Sequence, residues 1–152
     1  EDARGQLEAI ELRPQGLPAK GLSTEIARRA ARYGTTVAFF MDDRAFPEPA
    51  GFWVGGGRDT SVAIRPDRPQ PIALVLRNGA AVNVVTLESG TWREALTLQP
   101  GEERRVDIPI DASRGSALLS IRSSAGFRPS EVDPASRDSR WLGVYCRLLT
   151  AD

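Results

Sequence analysis

The chain has no histidine, one cysteine (Cys146), one methionine (Met41) and one lysine (Lys20) in 152 residues. Without histidine there is no imidazole base for a Ser-His-Asp or Cys-His nucleophile and no histidine ligand for zinc. Nor is there a side chain whose ordinary pKa lies near neutrality. A lone cysteine forms neither an intrachain disulfide nor a cysteine metal cluster. Cys146 sits in the apolar pattern Trp141-Leu-Gly-Val-Tyr-Cys-Arg-Leu-Leu149, so a buried strand thiol is expected there rather than a reactive one. No segment is long and apolar enough to read as a membrane-spanning helix. Charge of one sign is missing too: 20 basic residues balance 20 acidic ones. A nucleic-acid partner, which needs a basic excess or stripe, is not expected.

What is present is ordinary for a globular domain, with 41% hydrophobic and 26% charged residues. The length suits one domain, so residues 1–152 are read as a single unit. The chain opens on Glu1, and we read it as a piece processed or excised from a larger protein.

Gln6–Leu12 alternates as a first strand, followed by a loop from Pro14 to Gly21. Ser23 or Thr24 would cap one short N-terminal helix running through Ile26 to Arg32, with Gly34 as its stop. Arg28, Arg29 and Arg32 would then form its solvated face. Beyond Thr35 the pattern is that of strands: Thr36–Met41, Phe52–Val54, Asp59–Arg65, Pro71–Arg77, Ala81–Leu87, Thr91–Leu98, Glu103–Ile110, Ala117–Arg122 and Arg140–Thr150. Gly, Pro, Asn or Ser turns separate them, and Asn78-Gly79 between two apolar runs reads as a hairpin turn. Short strands in this rhythm, with no alternating βα units, predict an antiparallel β-sandwich, jelly-roll or immunoglobulin-like.

The segment Met41 to Gly57 gathers Asp42, Asp43, Glu48, Phe46, Phe52, Trp53, two prolines and a glycine triplet. So much Pro and Gly reads as an ordered loop entering a short strand. Its carboxylates suit three roles. They can serve as an acid and base pair for glycoside hydrolysis, as oxygen ligands for calcium, or as turn-locking acceptors paired with arginine. Phe52 and Trp53 beside carboxylates suit a sugar, the ring covering its C–H face while acids bind hydroxyls. Strand alternation would instead send one of the two into the core. Trp92 and Trp141 lie in strand patterns and are expected in the core. Gly55-Gly-Gly57 lacks the Lys-Ser/Thr of a phosphate loop and reads as a bulge or tight turn. In the polar stretch 127–143, Ser136, Asp138 and Arg140 can lock a loop ahead of the last strand.

That last stretch, Phe127-x-Pro-Ser-Glu-Val-Asp-Pro followed by Ser136-x-Asp-x-Arg-x-Leu-Gly143, resembles a pattern in β-sandwich domains of bacterial envelope proteins. Some of these domains are appended to membrane glycosyltransferases. Glu48-Pro-x-Gly-Phe-Trp53 is similar to the motif that accompanies it. The resemblance spans roughly Thr35 to Leu149. It implies a non-catalytic accessory domain on the periplasmic or extracellular face of the envelope and brings no catalytic residue with it. The expected partner is a glycan or a polyhydroxylated envelope component. Phe52 and Trp53 would stack on it, and Asp42, Asp43, Glu48 and Arg58 would hydrogen-bond it. No cofactor is required, calcium being the one candidate. The alternative is an interaction module that packs against the remainder of its parent polypeptide.

Overall fold

A computed structural model describes residues 29–109 and 115–150. They form two antiparallel sheets. The six-stranded sheet has the order β1 (Arg29–Tyr33), β2 (Thr36–Phe40), β5 (Asp59–Pro66), β10 (Ala117–Ser123), β7 (Asn83–Ser89), β8 (Trp92–Leu98). The five-stranded sheet has the order β3 (Ala45–Glu48), β4 (Gly51–Gly55), β11 (Leu142–Thr150), β6 (Ile72–Asn78), β9 (Glu103–Ile108). The one helical element among the described residues is the single turn α1 (Pro129–Val132).

Period-two alternation explains the layering. In β2, Thr36, Ala38 and Phe40 are buried while Val37 and Phe39 are half-buried. In β10, Ala117, Leu119, Ile121 and Ser123 point in. Phe40, Val62, Leu87 and Leu119 from one sheet join Phe52, Leu74, Leu76, Val144 and Cys146 from the other in one buried cluster. The arrangement is sandwich-like. Each fully buried side chain of this size contributes roughly 1.5–3 kcal/mol of transfer free energy. Phe52 packs edge-on against Phe40, centroids 5.1 Å apart.

Three expectations change here. Of the expected N-terminal helix, Arg29–Arg32 is strand: β1 pairs with β2 from Arg29↔Phe40 to Tyr33↔Thr36, and Gly34 (φ 63°) makes the hairpin turn. Ala31 and Tyr33 find a β-sheet face to bury, and that tertiary pairing outweighs the helix propensity of an Ala/Arg run. The strand Gln6–Leu12, the loop after it and the start of the helix lie outside the described residues. Asn78-Gly79 is not a hairpin turn. β6 and β7 belong to different sheets, and the dipeptide begins a crossover. Third, the acidic loop contains a strand, β3, which pairs with β4 and holds Pro47. An edge strand tolerates a proline because one side of it needs no ladder donor.

Successive strands alternate in direction, so the links β2–β3, β4–β5, β6–β7, β8–β9 and β10–β11 gather at one end of the two sheets. Each passes from one sheet to the other.

Candidate functional site

The linked end has a rigid polar floor. Asn78 Nδ2 donates to the carbonyls of Ala81 (2.7 Å), Gln99 (2.9 Å) and Leu98 (3.1 Å). Asn83 Nδ2 donates to Asn78 Oδ1 (3.2 Å) and Ser123 Oγ (2.9 Å). Asn83 Oδ1 accepts from the backbone N–H groups of Ser124 (3.0 Å) and Ala125 (3.1 Å), and the Ser123 hydroxyl donates to the Ala125 carbonyl (2.8 Å). All three side chains are buried. Together they tie β6–β7, β8–β9 and β10–β11 to one another, and a satisfied buried network of this kind makes a stiff platform.

Asp42 anchors the β2–β3 link. Its Oδ1 accepts from Arg44 N (2.9 Å) and Thr60 Oγ1 (2.7 Å). Its Oδ2 accepts from Ser61 N (3.0 Å) and Arg44 Nη2 (3.1 Å). Four donors engage the two oxygens, so of its three expected roles Asp42 fills the turn-locking one. Glu48 pairs with Arg140 Nη2 at 3.0 Å. Arg140 also grips Asp138 through Nε (2.9 Å) and Nη2 (2.7 Å) and lies over the Phe46 ring at 5.2 Å. Asp138 N bonds to Ser136 Oγ (3.1 Å). The loop lock expected of Ser136, Asp138 and Arg140 is present, and it reaches Glu48 as well. The Arg140 fork holds the Asp138 carboxyl below the usual aspartate range.

Phe52, expected to stack on a ligand, is completely buried and faces the core. Trp53 points the other way, half-buried, with Phe127 (5.6 Å) and Tyr145 (5.1 Å) against its ring. The indole most open to a ligand is Trp141, 43% exposed. Its strand-like sequence context suggested core, but it precedes β11 by one residue and escapes the sheet. The Trp141 carbonyl accepts from Gly56 N (3.0 Å), and the indole lies against bare glycine backbone. A Cβ on Gly56 would fall 2.6 Å from both Gly126 Cα and Trp141 Nε1. Arg128 lies over the ring at 4.9 Å and donates through Nε to the Ser139 carbonyl (3.2 Å).

Beside this tryptophan is a cleft of about 350 Å³, lined by Asp43, Arg44, Phe46, Arg58, Arg128 and Trp141 over Gly55 and Gly56. The β2–β3, β4–β5 and β10–β11 links bring these residues together. Of the expected site residues, Asp43 and Arg58 line the cleft. Asp42 stands behind it under Arg44, Glu48 lies across Phe46 in the Arg140 lock, and Phe52 and Trp53 are elsewhere. Arg44, Arg128 and Trp141 were not singled out from sequence, because their meeting depends on crossovers that no local pattern encodes. Among the described residues, no group of three or more carboxylate, histidine or cysteine side chains converges as a metal would require. The sequence matches no protein-family model, and it has no significant match among curated proteins.

Proposed function

We propose that this domain is a non-catalytic accessory module that recognises a glycan or another polyhydroxylated envelope component in the cleft beside Trp141. The observation that carries the reading is the cleft's composition. A part-exposed indole, a carboxylate and three guanidiniums surround a glycine floor, and few directional polar groups around an aromatic surface suit a sugar's mixed face. Strands β4 to β11 change sheets at every link except the β7–β8 hairpin, which favours the jelly-roll form of the sandwich over the immunoglobulin form. The resemblance to envelope β-sandwich domains supports the same assignment and a location on the periplasmic or extracellular face.

The test is binding of the domain to a panel of bacterial envelope glycans, with and without calcium. A hit lost in Trp141→Ala with folding intact is the expected result. A hit that survives Trp141→Ala moves the site away from this cleft. The second reading, an interaction module facing the rest of its parent polypeptide, draws on Leu118. That residue is 48% exposed on the outer face of the six-stranded sheet, in register with Ala63 and Phe39. It predicts no affinity across the panel.

A further inference from the structure

Resting on that reading, we infer that the ligand carries an anionic group, a carboxylate or a phosphate, and that Arg58 and Arg128 hold it. The three cleft arginines are in different states. Arg44 is already spent: Nη2 pairs with Asp42 at 3.1 Å and Nε donates to the Asp59 carbonyl at 2.6 Å. Arg128 commits only Nε, to Ser139. Its guanidinium carbon lies 4.9 Å over the Trp141 ring at the edge of the cleft, and its Nη groups make no hydrogen bond among the described residues. The Arg58 side chain makes no ion pair or hydrogen bond among the described residues, although its backbone carbonyl is pinned by Ser123 N at 2.9 Å.

A guanidinium offers five N–H donors and no acceptor, and its fork matches the oxygens of a carboxylate or phosphate. Two such forks line one cleft whose own acid is Asp43. With Arg44 and Asp42 offsetting each other, the remaining lining charge is two cations against one carboxylate. The local field therefore favours an anion although the chain as a whole carries no net charge. The bare backbone of Gly56 serves the indole: a Cβ there would fall 2.6 Å from Trp141 Nε1, so the close approach sets the ring at the cleft wall. With the anion on the arginines, the neighbouring sugar carbons have Trp141 and Phe46 to meet, which makes the unit an acidic sugar rather than a free ion.

The experiment is calorimetric titration of the folded domain with four probes: glucose oligomers, glucuronic acid oligomers, glucose 6-phosphate and inorganic phosphate. Binding of either acidic sugar at least tenfold tighter than the neutral oligomers supports the inference. So does its weakening by about tenfold in Arg58→Gln and in Arg128→Gln, and between low and physiological salt. The two acidic sugars tell carboxylate from phosphate. Both substitutions lie on the surface, and circular dichroism confirms that the variants are folded. Equal affinity for neutral and acidic oligomers, unmoved by Arg58→Gln, overturns the anion inference and leaves the glycan reading standing. Inorganic phosphate binding as tightly as glucose 6-phosphate keeps the anion site and overturns the sugar. No binding of either acidic sugar overturns the inference.

Discussion

Asp42 and Trp53, both expected at a ligand, are each engaged by neighbouring groups of the fold. Asp42 accepts four hydrogen bonds, two of them from the backbone N–H groups of Arg44 and Ser61. An asparagine there would turn an NH2 group toward donors. Asp42→Asn is therefore expected to lower the unfolding free energy by about 2–3 kcal/mol. Denaturant titration should show a shifted midpoint with an unchanged slope. An unchanged midpoint would mean the carboxylate is not holding the link. Trp53→Ala removes a ring wedged between Phe127 and Tyr145. Because Trp53 is only half-buried, its loss should cost less than a full core tryptophan, about 2–3 kcal/mol. Its effect on glycan binding should be small beside that of Trp141→Ala. The reverse ranking would return the binding surface to Trp53 and Tyr145.

At the scale of elements, the five inter-sheet links gathered at one end matter more than any strand, and the Asn78–Asn83–Ser123 network joins three of them. Asn83→Ala would strip acceptors from the Ser124 and Ala125 N–H groups and a donor from Asn78 Oδ1. Leaving such buried groups unpaired is expected to cost about 2–4 kcal/mol. Amide exchange should quicken first at Asn78, Ser124 and Ala125, well before the strand centres. Uniform acceleration across both sheets would instead mean that the network has no local role. This level of organisation was the least legible in the sequence. The strands themselves could be read because β-branched and aromatic alternation is local: β2, β5 and β8 begin and end within a residue or so of their patterns. A crossover has no such signature. Asn78-Gly79 has the composition of a tight hairpin, yet Asn78 uses its side chain to stitch two links, and Gly79 is there to let Phe127 approach its backbone. β1 was misread for a related reason. Ala and Arg favour helix, and only the presence of β2 alongside decides otherwise. The candidate site inherits the difficulty. Asp43 and Arg58 could be picked from the acidic segment, whereas Arg128 and Trp141 enter from some seventy residues further along the chain.

The whole molecule should respond to pH at its extremes and hardly at all between them, because no histidine titrates near neutrality. On the acid side, the Arg140 fork lowers Asp138, and Gln99 N–H with Arg104 lowers Glu102. A depressed carboxyl stabilises the fold above its ordinary value, here 3.8 for aspartate and 4.5 for glutamate, and loses that contribution as pH falls through its lower folded value. On the alkaline side the sign reverses. Burial pushes Cys146, Tyr33 and Tyr145 above their ordinary values of 9.0 for the thiol and 10.0 for the phenols. The unfolded chain then releases protons that the folded chain retains, and stability drains once pH passes 9. Cys146 ionises first in the unfolded state, so it sets the onset, at a limiting slope of roughly 1.4 kcal/mol per pH unit. Denaturant titrations from pH 3 to 11 are expected to give a plateau from about pH 5 to 8.5 that falls away on both sides. In Cys146→Ala the plateau should sit lower, since a buried side chain has been shortened. Its alkaline edge should nonetheless move up toward the tyrosine range. An edge that stays in place would show that Cys146 can ionise inside the folded sheets, and hence that the interior between β4 and β6 admits water.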